Sequence, residues 1–207
     1  AFYDPAGYEA YVDKVLRWDR RPSEATQGNA VFFSVRDGTR ATDLGYDALV
    51  TPGVEIVEQR RERGQFPAAE VTELADPFAC APGDLVAAVQ GGTPAVLFTL
   101  SHGEGAPRGG WSSAEARRRQ QGAMSFGHEG HITGEDLASA PFLPGGVWFM
   151  LACYGAGTPE SSAFYPWLAK LRDAGHFPAR LDPILAGLPR EGERPFVASL
   201  PRAVLAN

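Results

Sequence analysis

Three short, almost wholly apolar runs set the strongest limit on how this chain can fold. They are Ala30-Val31-Phe32-Phe33-Ser34-Val35, Ala95-Val96-Leu97-Phe98-Thr99-Leu100 and Val147-Trp148-Phe149-Met150-Leu151. None shows the polar alternation of a strand with one wet face. Runs of this length suit strands buried on both faces, as in a parallel sheet with helices on either side. Helical patterns alternate with them, so the expected architecture is an α/β sandwich around a mostly parallel central sheet.

The remaining chain is organised around these runs. Residues 4 to 17 have the pattern of an amphipathic helix: Asp4 as cap, Pro5 at the first helical position, and Tyr8, Tyr11, Val12, Val15 and Leu16 at helical spacing. Arg20 to Ser23 read as a linker, so residues 1–24 are expected to form a docking or capping helix outside a main domain of residues 25–207. Thr51 as cap, Pro52 in the first turn and Gly64 past the end frame a charged helix over 52–63. A short helix is expected near Leu85 to Val89 and a chain break at Gly91 to Pro94. A hairpin follows around Ser125 to Ile132, then a short helix through Glu135, Asp136 and Leu137. Further helical patterns lie near 161–173 and 199–206, the last reading as a helix from Phe196 to Leu205, while Pro67 to Pro82 carries no clear signal.

Reactive groups in an open parallel sheet gather beyond the carboxyl ends of its strands. His102 follows the second apolar run in Ser101-His102-Gly103, and Cys153 follows the third in Ala152-Cys153-Tyr154-Gly155. If the two strands are parallel neighbours, an imidazole and a thiol share one edge. A cysteine nucleophile needs a base to supply thiolate and donors for the developing oxyanion. Gly103 lets the backbone come close to a substrate carbonyl, which makes the N–H groups of Gly103 and Cys153 the candidate oxyanion hole. Gly155, Ala156 and Gly157 are small enough for a peptide to approach. Either residue alone is more simply an inert packed cysteine or a structural histidine. The two together, at matching strand ends and 51 residues apart, have the order and spacing of caspase-type cysteine proteases, about 50 residues between His and Cys.

On these residues the chain resembles the caspase-like (clan CD) cysteine peptidases. More closely, Val96 to Gly103, Gly130-His131-Ile132-Thr133-Gly134-Glu135-Asp136-Leu137 and Phe149 to Gly155 resemble the CHAT domain, a bacterial caspase-like module often attached to helical repeats. The resemblance is specific over residues 95–157, extends from residue 29 onward, and leaves residues 1–24 outside. It implies a three-layer caspase-like sandwich, His102 as general base, Cys153 as nucleophile, and Gly103 and Cys153 as oxyanion donors. Leu151-Ala152-Cys153-Tyr154-Gly155 departs from the caspases' own Gln-Ala-Cys-Arg-Gly, which puts aspartate specificity in doubt. A caspase-like sheet has further strands after the nucleophile. None is evident in this sequence, so the expectation is a large-subunit-like portion completed by a partner chain. The alternative is a catalytically idle caspase-like domain that acts through protein interactions.

Other signals are weaker. His128-Glu129-Gly130-His131 has the wrong spacing for a helical zinc motif, and no metal or other cofactor is expected. Asp37 and Glu160 are candidate substrate-binding acids for a basic residue; Asp37-Gly38 is equally a turn signal, and Arg36 and Arg40 favour an acidic substrate instead. Cys80, among prolines, reads as incidental, and His176 as an exposed loop residue. Composition narrows the rest: 44% hydrophobic residues exclude disorder, a net charge of -6 without a basic stretch argues against nucleic acid, and two cysteines suit a reducing compartment. No apolar stretch approaches the roughly 20 residues that span a bilayer. A cytoplasmic enzyme acting on a protein or peptide is therefore expected, and the opening Ala-Phe-Tyr-Asp-Pro suggests a trimmed or processed start.

Overall fold

The computed structural model describes residues 4–20, 28–76, 80–90, 95–108, 110–139, 141–189 and 194–207. The expected linker at 21–23, the break at 91–94 and part of the 67–82 segment lie outside them. The three apolar runs are all strands: β1 (Gly28–Ser34), β3 (Ala95–Leu100) and β6 (Val147–Leu151). Between β1 and β3 lies β2 (Ala68–Leu74), in the stretch that carried no clear signal. Ala-Ala-Glu-Val-Thr-Glu-Leu is half polar because β2 is an edge strand, paired only to β1. The four strands form one sheet in the order β2-β1-β3-β6, every pair parallel.

Helices flank both faces. On one, Val31, Phe33 and Leu97 pack into a core with Leu85 and Val89 of α4 (Pro82–Gln90) and Leu200 of α8 (Ser199–Ala206). Met124 and Ile132 extend that core from a small hairpin, β4 (Met124–Ser125) and β5 (His131–Ile132). On the other face, α2 (Arg40–Gly45) and α3 (Thr51–Glu62) approach so closely that Gly45 faces Leu100 and Gly53 faces Phe32. The arrangement is the α/β sheet the apolar runs predict.

Several elements differ from expectation. Thr51 does not cap a helix; α2 runs through a π-helical turn, Tyr46–Val50, straight into α3. The Thr51 N–H bonds the Tyr46 carbonyl, and this wider turn carries the chain past Pro52, which has no N–H to donate. Residues 134–139 form turns in place of a helix, with the Asp136 carboxylate accepting from the Thr133 N–H and hydroxyl at 2.8 and 2.7 Å. Phe196–Val197 (β8) is a strand paired antiparallel to β7 (Gly157–Thr158), so the C-terminal helix begins only at Ser199. Helix α7 (Pro178–Gly187) packs beside α6 (Tyr165–Asp173); its internal Pro183 disguised it in the sequence.

Helix α1 (Pro5–Asp19) starts as predicted, the Asp4 carboxylate accepting from the Gly7 N–H at 2.8 Å. It packs beside α8 (Ser199–Ala206). Trp18 lies against Gly145, Lys14 donates to the Val204 carbonyl of α8 at 2.5 Å, and Tyr8, Val12 and Val15 stay exposed. Alternate side chains of β6 are bare as well: Val147, Phe149 and Leu151 are 54%, 58% and 48% exposed. Among the described residues no strand pairs with the outer edge of β6. No described helix is long and apolar enough to cross a membrane.

Candidate active site

The parallel register between β3 and β6 runs from Val96 opposite Val147 to Leu100 opposite Leu151. It continues one bond further, the Ser101 N–H donating to the Leu151 carbonyl at 3.1 Å. Carried on by two residues, this register sets His102 level with Cys153. Leaving the two strands in step, imidazole and thiol emerge at the same sheet edge. No hydrogen bond joins them in this structure, and Cys153 is exposed.

The next residue shows how close the two segments are. A Cβ on Gly103 would stand 1.6 Å from the Cys153 carbonyl oxygen and 3.1 Å from its nitrogen, so only glycine fits. On its other side, Gly103 bridges antiparallel to Met124. The bonds of that bridge belong to its neighbours: Glu104 N–H to Ala123 carbonyl at 2.9 Å, and Ser125 N–H to His102 carbonyl at 2.9 Å. In such a pair the central residue's own N–H points to the opposite edge. The Gly103 N–H therefore faces away from the hairpin, and no backbone bond among the described residues uses it.

The turn that carries Cys153 is strained and clamped. Tyr154 has φ 58°, a left-handed conformation uncommon outside glycine and worth about 1–3 kcal/mol of strain. Gly122 closes over it, since a Cβ there would stand 2.4 Å from the Tyr154 carbonyl oxygen. Beyond the turn, β7 is tied to α5 (Ala114–Gln120) through buried side chains. The Arg117 Nε donates to Gln121 at 2.7 Å, and the Gln121 amide donates to the Thr158 hydroxyl at 2.6 Å. Of the small residues after Cys153, Ala156 is exposed and Gly157 half-buried. Gly155 is buried beside Met150, and Gly157 abuts the Phe196 carbonyl.

Asp37 stands at the third strand end. Its carboxylate oxygen Oδ2 lies 3.1 Å from the His102 Nε2, which is also 2.9 Å from the Thr39 hydroxyl. The other oxygen, Oδ1, accepts from the Thr39 N–H at 3.2 Å and the Thr42 hydroxyl at 3.0 Å. Partial burial pushes the Asp37 carboxyl up, but the bonds from Thr39 and Thr42 and the nearby His102 outweigh it and hold the group below the usual aspartate range. The carboxylate is thus engaged with the histidine, where the sequence reading had it free for substrate. Thr39, Thr42, Gly122 and Gln121 escaped sequence reading, because each acts through a contact that chain order does not reveal.

The remaining candidates sit apart. Glu160 is exposed past β7, and no ion pair joins it to His102, whose carboxylate partner is Asp37. The 128–131 segment forms the turn and start of β5 in the hairpin, and no grouping of metal-binding side chains occurs among the described residues. His176 is an exposed turn residue. Cys80 is buried, and burial first, with Asp84 and Asp76 adding to it, pushes its thiol up to about 11. Such a thiol carries almost no thiolate at neutral pH. Compared with protein-family models, with curated proteins and with solved structures, the chain finds no match in any of the three.

Proposed function

We propose that the chain is a caspase-like cysteine endopeptidase, its sheet the large-subunit-like core of a three-layer sandwich. The observation that carries this reading is the shared register of β3 and β6, which brings His102, Gly103 and Cys153 to one edge. In the reaction His102 takes the thiol proton and the Cys153 sulfur attacks the scissile carbonyl carbon. The carbonyl oxygen becomes an oxyanion held by the N–H groups of Gly103 and Cys153. Collapse of that intermediate breaks the carbon–nitrogen bond, and the imidazolium returns its proton to the leaving amine. A water then loses a proton to His102, attacks the acyl carbon and releases the thiol and the new carboxyl group.

The bare Val147, Phe149 and Leu151 and the unpaired β6 edge support the rest of the reading. Parallel strands are normally covered on both faces. A partner polypeptide that adds a strand to β6 and covers these side chains would complete the layer, and no nucleic acid or cofactor enters the chemistry.

A second reading rests on the missing hydrogen bond between thiol and ring: an idle caspase-like domain that works by binding. A peptidyl acyloxymethyl ketone, which alkylates only an activated cysteine, separates the two. The peptidase reading expects labelling of Cys153 that is lost in both Cys153→Ala and His102→Ala. Labelling that ignores His102, or none beyond that of Cys80, removes it.

A further inference from the structure

We infer that Asp37 is a positioning residue, a carboxylate that fixes the tautomer and aim of the His102 ring. The assignment rests on the peptidase reading above and adds a third member to it. Its basis is the order of the sheet. β1, β3 and β6 are adjacent and parallel, and Asp37, His102 and Cys153 follow their three carboxyl ends in turn. Carboxylate, imidazole and thiol therefore stand in a line along one edge.

The hydrogen bonds give the line a direction. Asp37 Oδ1 is occupied by the Thr39 N–H and the Thr42 hydroxyl, which leaves Oδ2 for the ring. The Thr39 and Thr42 hydroxyls also lie 2.8 Å apart, and Thr42 further bonds the Thr39 carbonyl at 3.0 Å, so the loop is braced against α2. With a carboxylate oxygen 3.1 Å away, an Nε2 lone pair would face negative charge. The proton therefore sits on Nε2, and Nδ1 is the nitrogen free to act as base. The carboxylate also stabilises the imidazolium that forms when Nδ1 takes the thiol proton. At 17% exposure against 38% for His102, it is better shielded from water than the ring it orients.

The test is the rate of iodoacetamide alkylation of Cys153 from pH 6 to 9, followed by peptide mapping, in the whole protein. In Asp37→Asn the rate at pH 6.5 should fall about tenfold, a fraction of what a well-aimed general base contributes. At pH 9 the two proteins should converge, because hydroxide then competes with the ring as the base. A merely structural role would lower the rate at every pH and lower the urea midpoint with it. Thr39→Val, which keeps the carboxylate but removes the hydroxyl 2.9 Å from Nε2, should lie between. It carries the test if Asp37→Asn does not fold. An unchanged profile in the variants, with His102→Ala still slowing alkylation, overturns the role of Asp37 and leaves the dyad standing. If His102→Ala has no effect either, the peptidase reading falls and this assignment falls with it.

Discussion

Replacing Gly103 with alanine tests the central claim, that two strand ends meet at the nucleophile. The added Cβ would stand 1.6 Å from the Cys153 carbonyl oxygen and 2.7 Å from the carbonyl carbon. Both are backbone atoms, so no rotamer change relieves the overlap. To reach 3.0 Å, the closest approach real Cβ atoms make, the segments must part by about 1.4 Å. A shift of that size stretches the 3.1 Å Ser101–Leu151 bond well past hydrogen-bond range. One lost bond is worth about 1 kcal/mol, and forced repacking adds about 1–3 kcal/mol. The expected destabilisation is about 2–4 kcal/mol, a fall in Tm of roughly 5–15 °C. Below the melting range, labelling by the acyloxymethyl ketone should drop about 100-fold or more, as when an oxyanion donor is lost. The control is Gly83→Ala in α4, where the Cβ meets nothing within 4 Å. It should be neutral or slightly stabilising. If Gly103→Ala melts and labels like the parent protein, the strand ends are not apposed and the proposed site is wrong.

Further outcomes follow from the same geometry. Iodoacetamide at pH 7.5 should modify Cys153 at least tenfold faster than Cys80, whose buried thiol is pushed up to about 11; equal rates by mass spectrometry would contradict the assignment of the nucleophile. Asp136 lies below its ordinary range, chiefly because the Thr133 N–H and hydroxyl bond its charged form. Its contribution is thus present above the unfolded aspartate pKa and lost as pH falls through the lowered folded value. Asp136→Asn should cost less than about 1 kcal/mol at pH 7, a gap that urea titrations should show closing by pH 2; a gap independent of pH would reject this account. Phe149→Lys, at a site 58% exposed, should leave the urea midpoint within about 0.5 kcal/mol and weaken association with a partner at β6. Unchanged association, measured by light scattering or pull-down with the partner, would place that contact elsewhere.

Much of the sheet was legible because its strands are apolar on both sides, a pattern few other structures demand. The placing of His102 and Cys153 at one sheet edge was legible for the same reason: once the runs ending before them are parallel neighbours, their next residues come level. What escaped depends on contacts that sequence order hides. β2 lacks the apolar signature because it has one neighbour, and its identity comes from pairing with β1. The π-helical turn before Pro52 resolves a conflict between proline and helix that sequence reads as a helix start. Asp37 looked like a turn residue or a substrate-binding acid; its engagement with His102 depends on β1 lying next to β3. Gly155 was assigned to substrate approach, yet it is buried beside Met150.

The β6 edge has a mechanical consequence. β1 and β3 are each gripped from both sides, whereas β6, which leads into Cys153, is fastened along one side only among the described residues. His102 and Gly103 thus follow a strand held on both sides, and Cys153 a strand held on one side and a turn clamped by Gly122. Whatever settles on Val147, Phe149 and Leu151 therefore meets the strand that leads directly into Cys153.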